Sequence, residues 1–408
     1  MSWLSLLWLL ILLLTLGGVA VGRLPRLAMN RATIAVAGAT LLILSGAISY
    51  AEALQAVDLH TLVLLFGMMV INIHLRMAGF FSWVAYHTTA AQLHPRLLLA
   101  LLMLVSALLS AFFLNDTVVL AFTPLVLEIV LMAELPPLPF LIGLATAANI
   151  GSVATLIGNP QNMLIGIASG ISFTSFLLTL APVALGSLMI AWLLLLLLFR
   201  HELGQRPAPV PLLRHLPMHP TLLRKSLLAS LLLLAALLSG MPVSLAAIAA
   251  ATPLLITRRW QADTILQEID WPVLLFFAAL FIVTRTVETA GFSQPFLSLL
   301  PDAGQLQLPA LAWNSLLLSN LVSNVPAVLL LKPLVSQLPW AESAWLTLAM
   351  ATTLAGNLTL LGSVANLIVA ESARKQGVVL GFWPYLRAGL PITVATLLWG
   401  IFWLGQTP

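Results

Sequence analysis

Between about Leu141 and Ile167 the chain is apolar enough to lie in a bilayer, yet the middle of this run reads Thr155-Leu-Ile-Gly-Asn-Pro-Gln-Asn162. A segment that only had to cross hydrocarbon would have no use for a glycine, a proline and two asparagines at its centre. Proline removes a backbone donor and disturbs the preceding turn, and Gly158 is expected to let the chain leave helical geometry cheaply. In hydrocarbon every backbone polar group needs a partner, so such a break survives only where it faces protein or a watery cavity. The pattern recurs 204 residues later as Thr359-Leu-Leu-Gly-Ser-Val-Ala-Asn366, which aligns Thr155 with Thr359, Gly158 with Gly362 and Asn162 with Asn366. Paired interrupted helices at mid-membrane are a device of secondary transporters.

Composition agrees. Hydrophobic residues make up 61% of 408 and charged residues 7%, against roughly a quarter charged in soluble domains. The net charge of +4 comes from basic residues scattered along short loops, which is no nucleic-acid footprint. The absence of cysteine excludes disulfides, thiolate metal sites and redox motifs. No cofactor and no metal site are expected, since the histidines lack ligand spacing and no nucleophile or phosphate-loop motif is present. The apolar stretch Met1–Leu16 has no preceding basic residue and is followed by Arg23, Arg26 and Arg31, which reads as a retained first span.

Hydropathy and turn punctuation predict spans near Trp3–Val21, Ala32–Tyr50 and Leu59–Met77, then an interfacial helix between Gly79 and Arg96. Two short apolar arms, Leu97–Phe113 and Val118–Met132, flank Asn115-Asp-Thr117 and read as a re-entrant hairpin. A broken helix and a span at Ser175–Phe199 follow. The second half repeats the order, with spans near Ser226–Ser239, Val243–Thr257 and Trp271–Ala290, a hairpin with Ser323-Asn-Val-Pro326 at its tip, a second break, and a last span at Pro384–Leu404. Further pairings support the repeat: Asp58 and Gly79-Phe80 match Asp270 and Gly291-Phe292, and Asn115 matches Asn324. With the loop after the first span in the cytoplasm, fifteen of the 17 basic residues fall on that side, leaving Arg285 and Lys332. In the same count the two hairpins enter from opposite sides.

The sequence therefore predicts an all-α polytopic membrane protein of two inverted-topology repeats, each with a re-entrant hairpin and a broken transmembrane helix. The first repeat covers residues 1–200 (hairpin 97–133, broken helix 138–170), a cytoplasmic linker covers 201–225, and the second covers 226–408 (hairpin 309–335, broken helix 345–371). A bacterial-type inner (plasma) membrane is the expected location, with the large polar loops cytoplasmic.

Asp116 is the sharpest candidate for chemistry. A carboxylate at a hairpin tip inside an apolar region is costly and by default functional, and its counterpart in the second half is Val325, so only one tip carries the charge. It is the candidate proton or ion-coupling group; the bland alternative is a cap on the second arm's helix. Asn115, Thr117, Ser323 and Asn324 lie beside half-helix ends, where free N–H groups and a positive dipole end favour an anion or polar oxyacid. Asn159, Asn162, Asn357 and Asn366 lie at the breaks, with Thr155, Gly158, Thr359, Gly362 and Ser363 beside them; together these are the candidate substrate-binding residues. Arg285 and Glu288, three apart, can neutralise each other.

Leu114-Asn-Asp-Thr117, Ile157-Gly-Asn-Pro-Gln-Asn162, Ser323-Asn-Val-Pro326 and Gly356-Asn-Leu-Thr-Leu-Leu-Gly-Ser-Val-Ala-Asn366 together resemble the ion transporter superfamily. This group includes arsenical pump membrane proteins, sodium/proton antiporters of the NhaD type and divalent anion/sodium symporters. The resemblance covers nearly the whole chain and is strongest to the arsenite-permease-like branch, whose Asn-Asp tip is matched by Asn115-Asp116. It implies a scaffold domain, a moving transport domain carrying both hairpins and both breaks, and an elevator-type motion; many members are homodimers. Thr117 stands where arsenite pumps have Gly, and the Gly-Asn-Pro-Gln-Asn break is nearer the general anion permeases. The expectation is a proton-coupled secondary transporter exporting arsenite- or antimonite-like oxyacids or a small inorganic anion. A sodium/proton antiporter and a sodium-coupled di- or tricarboxylate symporter are the alternatives. An intramembrane enzyme would need a nucleophile–base pair or metal cluster that the sequence does not show. A partner ATPase subunit is compatible with the chain, which carries no nucleotide motif of its own.

Overall fold

The computed structural model describes residues 3–24, 28–89, 93–208, 217–256, 262–292 and 307–406. Apart from a two-residue β ladder pairing Arg23–Leu24 with Met29–Asn30, the regular structure of these residues is helical. The first half runs α1 (Trp3–Val21), α2 (Arg31–Leu44), α3 (Tyr50–Ala56), α4 (Leu59–Met77), α5 (Phe80–Thr89), α6 (Pro95–Phe112), α7 (Asn115–Met132), α8 (Leu138–Ser152), α9 (Pro160–Ser169) and α10 (Phe173–Leu198). The second runs α11 (Pro220–Leu238), α12 (Val243–Leu255), α13 (Ala262–Gln267), α14 (Trp271–Thr289), α15 (Leu308–Val322), α16 (Asn324–Val335), α17 (Ala341–Ala355), α18 (Val364–Lys375) and α19 (Phe382–Leu404). Among the described residues eight helices are long and apolar enough to cross a membrane, so the chain is an all-α multi-pass membrane protein.

Local chemistry sets the helix starts. Asn30 and Thr33 form a reciprocal capping box at α2, and Ser49 with Glu52 forms another at α3. Hydrogen bonds from the Ser49 hydroxyl and backbone hold the exposed Glu52 carboxyl below its ordinary pKa. Asp58 caps α4 by accepting from the amides of His60 and Thr61, and its counterpart Asp270 caps α14 by accepting from Val273.

Three boundaries differ from the sequence reading. The span expected over Ala32–Tyr50 stops at Leu44, because Ser45 caps it and Gly46 turns at φ +74°, leaving α3 as a separate short helix. The two arms flanking Asn115 are each 18 residues, longer than their apolar cores, and by length both qualify as spans. The stretch 201–225 is not all linker: Pro220, pre-set for the first helical position, starts α11 inside it. Residues 209–216 of that stretch lie outside the described part.

Packing is reciprocal between the halves. Helix α2 packs on α14 and α4 on α12; α6 packs on α8 and α15 on α17; α7 meets α18 and α9 meets α16. Helices α10 and α19 pack directly on each other. There Trp399 Nε1 donates to the Pro182 carbonyl (3.4 Å) and Trp403 Nε1 to that of Thr179 (3.1 Å). A Cβ on Gly186 would lie 2.2 Å from Trp399 Nε1, so only glycine lets that indole in.

Besides the Glu371–Arg374 pair in the last turns of α18, two further ion pairs among the described residues sit at helix ends. Arg76, at the end of α4, pairs with Glu268 just beyond α13, while Arg285 and Glu288 of α14 pair at 2.9 Å as their spacing anticipates. All four side chains are partly or largely exposed, so neither pair contributes much stability.

Candidate functional site

Both interrupted helices are solved with the same hydrogen bonds. Helix α8 ends at Ser152 and α9 begins at Pro160, and the backbone between them is kept from orphaned carbonyls by Asn162. Its Nδ2 donates to the carbonyls of Ser152 (2.9 Å) and Thr155 (3.1 Å). Asn366, 204 residues on, donates to the carbonyls of Gly356 (2.7 Å) and Thr359 (3.0 Å) across the break between α17 and α18. The new helix starts are capped by Asn159, whose Oδ1 accepts from the Asn162 amide (2.9 Å), and by Ser363, whose hydroxyl accepts from the Ala365 amide (3.2 Å).

Gly158 serves closeness rather than backbone freedom. It does not adopt a positive φ, but a Cβ there would lie 2.7 Å from the Ser110 carbonyl oxygen and 2.8 Å from Ser152 Cα. Gly362 is less confined, with its nearest would-be contacts at 3.1 and 3.2 Å. Thr155 is buried and its hydroxyl donates to the Ala111 carbonyl of α6, while Thr359 is half-buried and its hydroxyl takes part in no hydrogen bond among the described residues.

The first tip is docked on this scaffold. The Asn115 amide donates to the Gly158 carbonyl (3.1 Å), and Asn115 Oδ1 accepts from the Asp116 amide (3.0 Å). Helix α7 begins after Leu114 with no side-chain cap, so Asp116 lies in the first turn without acting as the cap. Asp116 is half-buried, and its carboxylate takes no hydrogen bond or ion pair from the described residues. The charged groups acting on it are Arg31 and Asp270, at the starts of α2 and α14. Thr117 is half-buried beside it.

At the second tip, Ser323 sits between α15 and α16 at φ +78°, a conformation that side-chain-bearing residues rarely adopt. Asn324 Oδ1 accepts from the Ser319 hydroxyl of its own hairpin (2.6 Å). The two tips are held differently: the first by its own tip asparagine, bonded to Gly158 and Asn149, and the second through Ser319 and Asn320, which donate to the Thr352 (3.3 Å) and Ala355 (3.1 Å) carbonyls of α17.

The centre of the network is a residue that the motifs did not single out. Asn149, 2% exposed in α8, uses its whole hydrogen-bonding capacity. Its Nδ2 donates to Asn357 Oδ1 (2.9 Å) and Asn366 Oδ1 (3.1 Å), and its Oδ1 accepts from Asn115 Nδ2 (3.1 Å) and the Ser363 hydroxyl (3.0 Å). The residue 204 positions later, Thr353, reaches the first break in the same way. Its hydroxyl donates to Asn162 Oδ1 (3.4 Å) and accepts from Asn159 (3.3 Å) and Gln161 (3.3 Å). Each broken helix thus carries a polar residue that clasps the other's break. The signal available was a polar residue at equal offset in two Ala-rich helices.

The two breaks differ in exposure. Residues 153–159 are buried throughout, whereas 358–362 are partly open and Leu361 is 64% exposed. Among the described residues no group of His, Asp or Glu is placed to hold a metal ion.

The comparisons with known proteins agree with this geometry. Residues 8–355 match the family model described as "CitMHS: Citrate transporter". The chain is 32% identical to the silicon efflux transporter LSI3 of Oryza sativa subsp. japonica, over 94% of each chain. It is 30% identical to the inner membrane protein YbiR of Escherichia coli K12, over 84% of this chain and 86% of that one. Its fold matches the Alcanivorax borkumensis YdaH transporter, whose crystal structure revealed an unusual topology, with a TM-score of 0.56, 15% identity, and 99% and 98% of the two chains covered. The chain belongs to the citrate transporter (CitMHS) family of the ion transporter superfamily, and is a secondary transporter rather than an enzyme.

Proposed function

We propose that this transporter exports a small undissociated oxyacid of the arsenous, antimonous or silicic type in exchange for protons, with Asp116 as the proton carrier. The observation carrying the reading is the unused carboxylate at the first tip, set beside neutral amides and hydroxyls. An ionised carboxylate can accept a charge-assisted hydrogen bond from a hydroxyl of the oxyacid, and protonation removes that acceptor. Proton and substrate then compete for one group, which is the minimal logic of exchange. The name of the rice relative, a silicon efflux transporter, supports a hydroxyl-rich neutral substrate.

In this reading the halves are inverted repeats, with hairpins at α6–α7 and α15–α16. The reciprocal packing and the matched Asn162 and Asn366 bonds support it. The clasped breaks and the first tip move as one body in an elevator-type step against the α2–α14 and α4–α12 pairs. The charge count assigns the starts of α2 and α14 to the cytoplasm, which gives Asp116 cytoplasmic access in a bacterial-type inner membrane.

A second reading, cation-coupled carriage of a citrate-like anion, is favoured by the N-termini of α7, α9, α16 and α18 at the tips and breaks, since helix N-termini favour anions. Proton flux in proteoliposomes under an imposed pH gradient separates the two. Arsenite, antimonite, silicic acid, citrate, succinate, sulfate and sodium are added singly. A response to the oxyacids that vanishes in Asp116→Asn is the expected result. A response to citrate with sodium replaces this reading with the second, and full proton-coupled transport by Asp116→Asn removes Asp116 as the carrier.

A further inference from the structure

Asn149 faces no opening and is surrounded by committed partners, which makes its orientation unambiguous. Asn366 spends its Nδ2 on the Gly356 and Thr359 carbonyls, so only its Oδ1 is left to face Asn149. Asn115 spends its Oδ1 on the Asp116 amide, so only its Nδ2 is left to face Asn149. The Asn149 amide is therefore held with nitrogen toward the second break and oxygen toward the first tip. A continuous line of hydrogen bonds runs from the Thr359 carbonyl through Asn366, Asn149 and Asn115 to the Asp116 amide.

The line exists on one side only. The equivalent of Asn149 is Thr353, which clasps the first break, but Asn324 at the second tip bonds to Ser319, whose hydroxyl also reaches the Thr352 carbonyl (3.3 Å), and not to the Thr353 side chain. The tip that carries the carboxylate is the one wired to the opposite break, and that break is the more open of the two.

We infer that Asn149 is the positioning residue that couples the state of the Asp116 tip to the conformation of the second break, and so ties proton movement to substrate movement. This rests on the reading of Asp116 as proton carrier. A proton arriving at the carboxylate changes what the first turn of α7 binds. Asn115, whose amide side chain holds that turn, passes the displacement to Asn149, which holds Asn357, Ser363 and Asn366 together. Without Asn149 the tip and the break answer to their ligands separately.

The test measures protons moved per substrate moved, and proton leak without substrate, in proteoliposomes. It compares the wild type, Asn149→Ala, Asn149→Ser and Asp116→Asn, using the oxyacid that the wild type transports. Melting of each variant in detergent is followed alongside. Asn149→Ser is included because a small hydroxyl preserves part of the clasp if the alanine variant does not fold. The expected result is that folded Asn149 variants leak protons without substrate and depart from the wild-type ratio, while Asp116→Asn moves no coupled protons at all. A wild-type ratio with no leak in the Asn149 variants overturns the inference, as does a parallel loss of both fluxes that tracks melting. Intact coupling in Asp116→Asn overturns the underlying reading instead, so the two failures are distinguishable.

Discussion

At the scale of single residues, the site is a problem of satisfying buried amides. Asn162 and Asn366 each rescue two carbonyls, and removing either side chain orphans them at about 1–3 kcal/mol per buried group. The more open second break lets water replace part of what Asn366 supplies. Asn162→Ala should therefore melt at a lower temperature in detergent than Asn366→Ala, and the reverse order would contradict the exposure difference seen between the breaks. Gly158→Ala tests the same region from the side of volume. Its methyl group meets main-chain atoms at under 3 Å, so a loss of about 1–3 kcal/mol is expected from overpacking. Gly362→Ala should be milder. A chemical-denaturation series on the two variants checks the ordering. Asp116 and the break residues stood out in the sequence because a charge or a proline inside an apolar run is costly. Asn149 and Thr353 did not, since each looks like an ordinary helix-packing residue until its partner, some 200 positions away, is placed beside it.

At the scale of elements, the starts of α2, α3, α4 and α14 followed the chemistry of their caps, and the misread boundaries show what was overlooked. Hydropathy ran on past Leu44, but Ser45-Gly46 is a helix stop that apolar averages conceal. The positive φ at Ser323 has no sequence signal, because no glycine or asparagine occupies that position. A strained backbone of this kind costs of order 1–3 kcal/mol and persists only where its surroundings hold it. Ser323→Gly is expected to raise the melting temperature by relieving it, whereas Ser323→Ala, which keeps a Cβ, should not. Equal melting of the two variants would show that the turn is unstrained. At the α10–α19 interface, Gly186→Ala should disturb packing by displacing Trp399, with reduced tryptophan protection from a water-soluble quencher as the readout.

At the scale of the whole molecule, the order of elements and the charge distribution define a topology that labelling can check. The cysteine-free background makes the experiment direct. The proposed inverted repeats would put α3 and α13, which hold equivalent places, on opposite faces of the membrane. A cysteine at Glu52 should react with an impermeant maleimide from outside intact cells, and one at Glu268 only after permeabilisation. Reaction of both from one side would end the inverted-repeat reading. The all-α multi-pass class was the most legible feature, because apolar runs of span length and a 7% share of charged residues leave few alternatives.

The mutual clasp of the breaks also bears on how such a chain can arise and change. A gene that joined two copies of the first half would place a carboxylate at both tips and an asparagine at both clasps. On the repeat reading, Val325 answers Asp116 and Thr353 answers Asn149, so the halves would have diverged where they touch each other's break and where charge is carried. A swap of α8 for α17 would ask Asn149 and Thr353 to exchange partners of different reach, and drift at 149 is tolerable only with answering change at 357, 363 and 366.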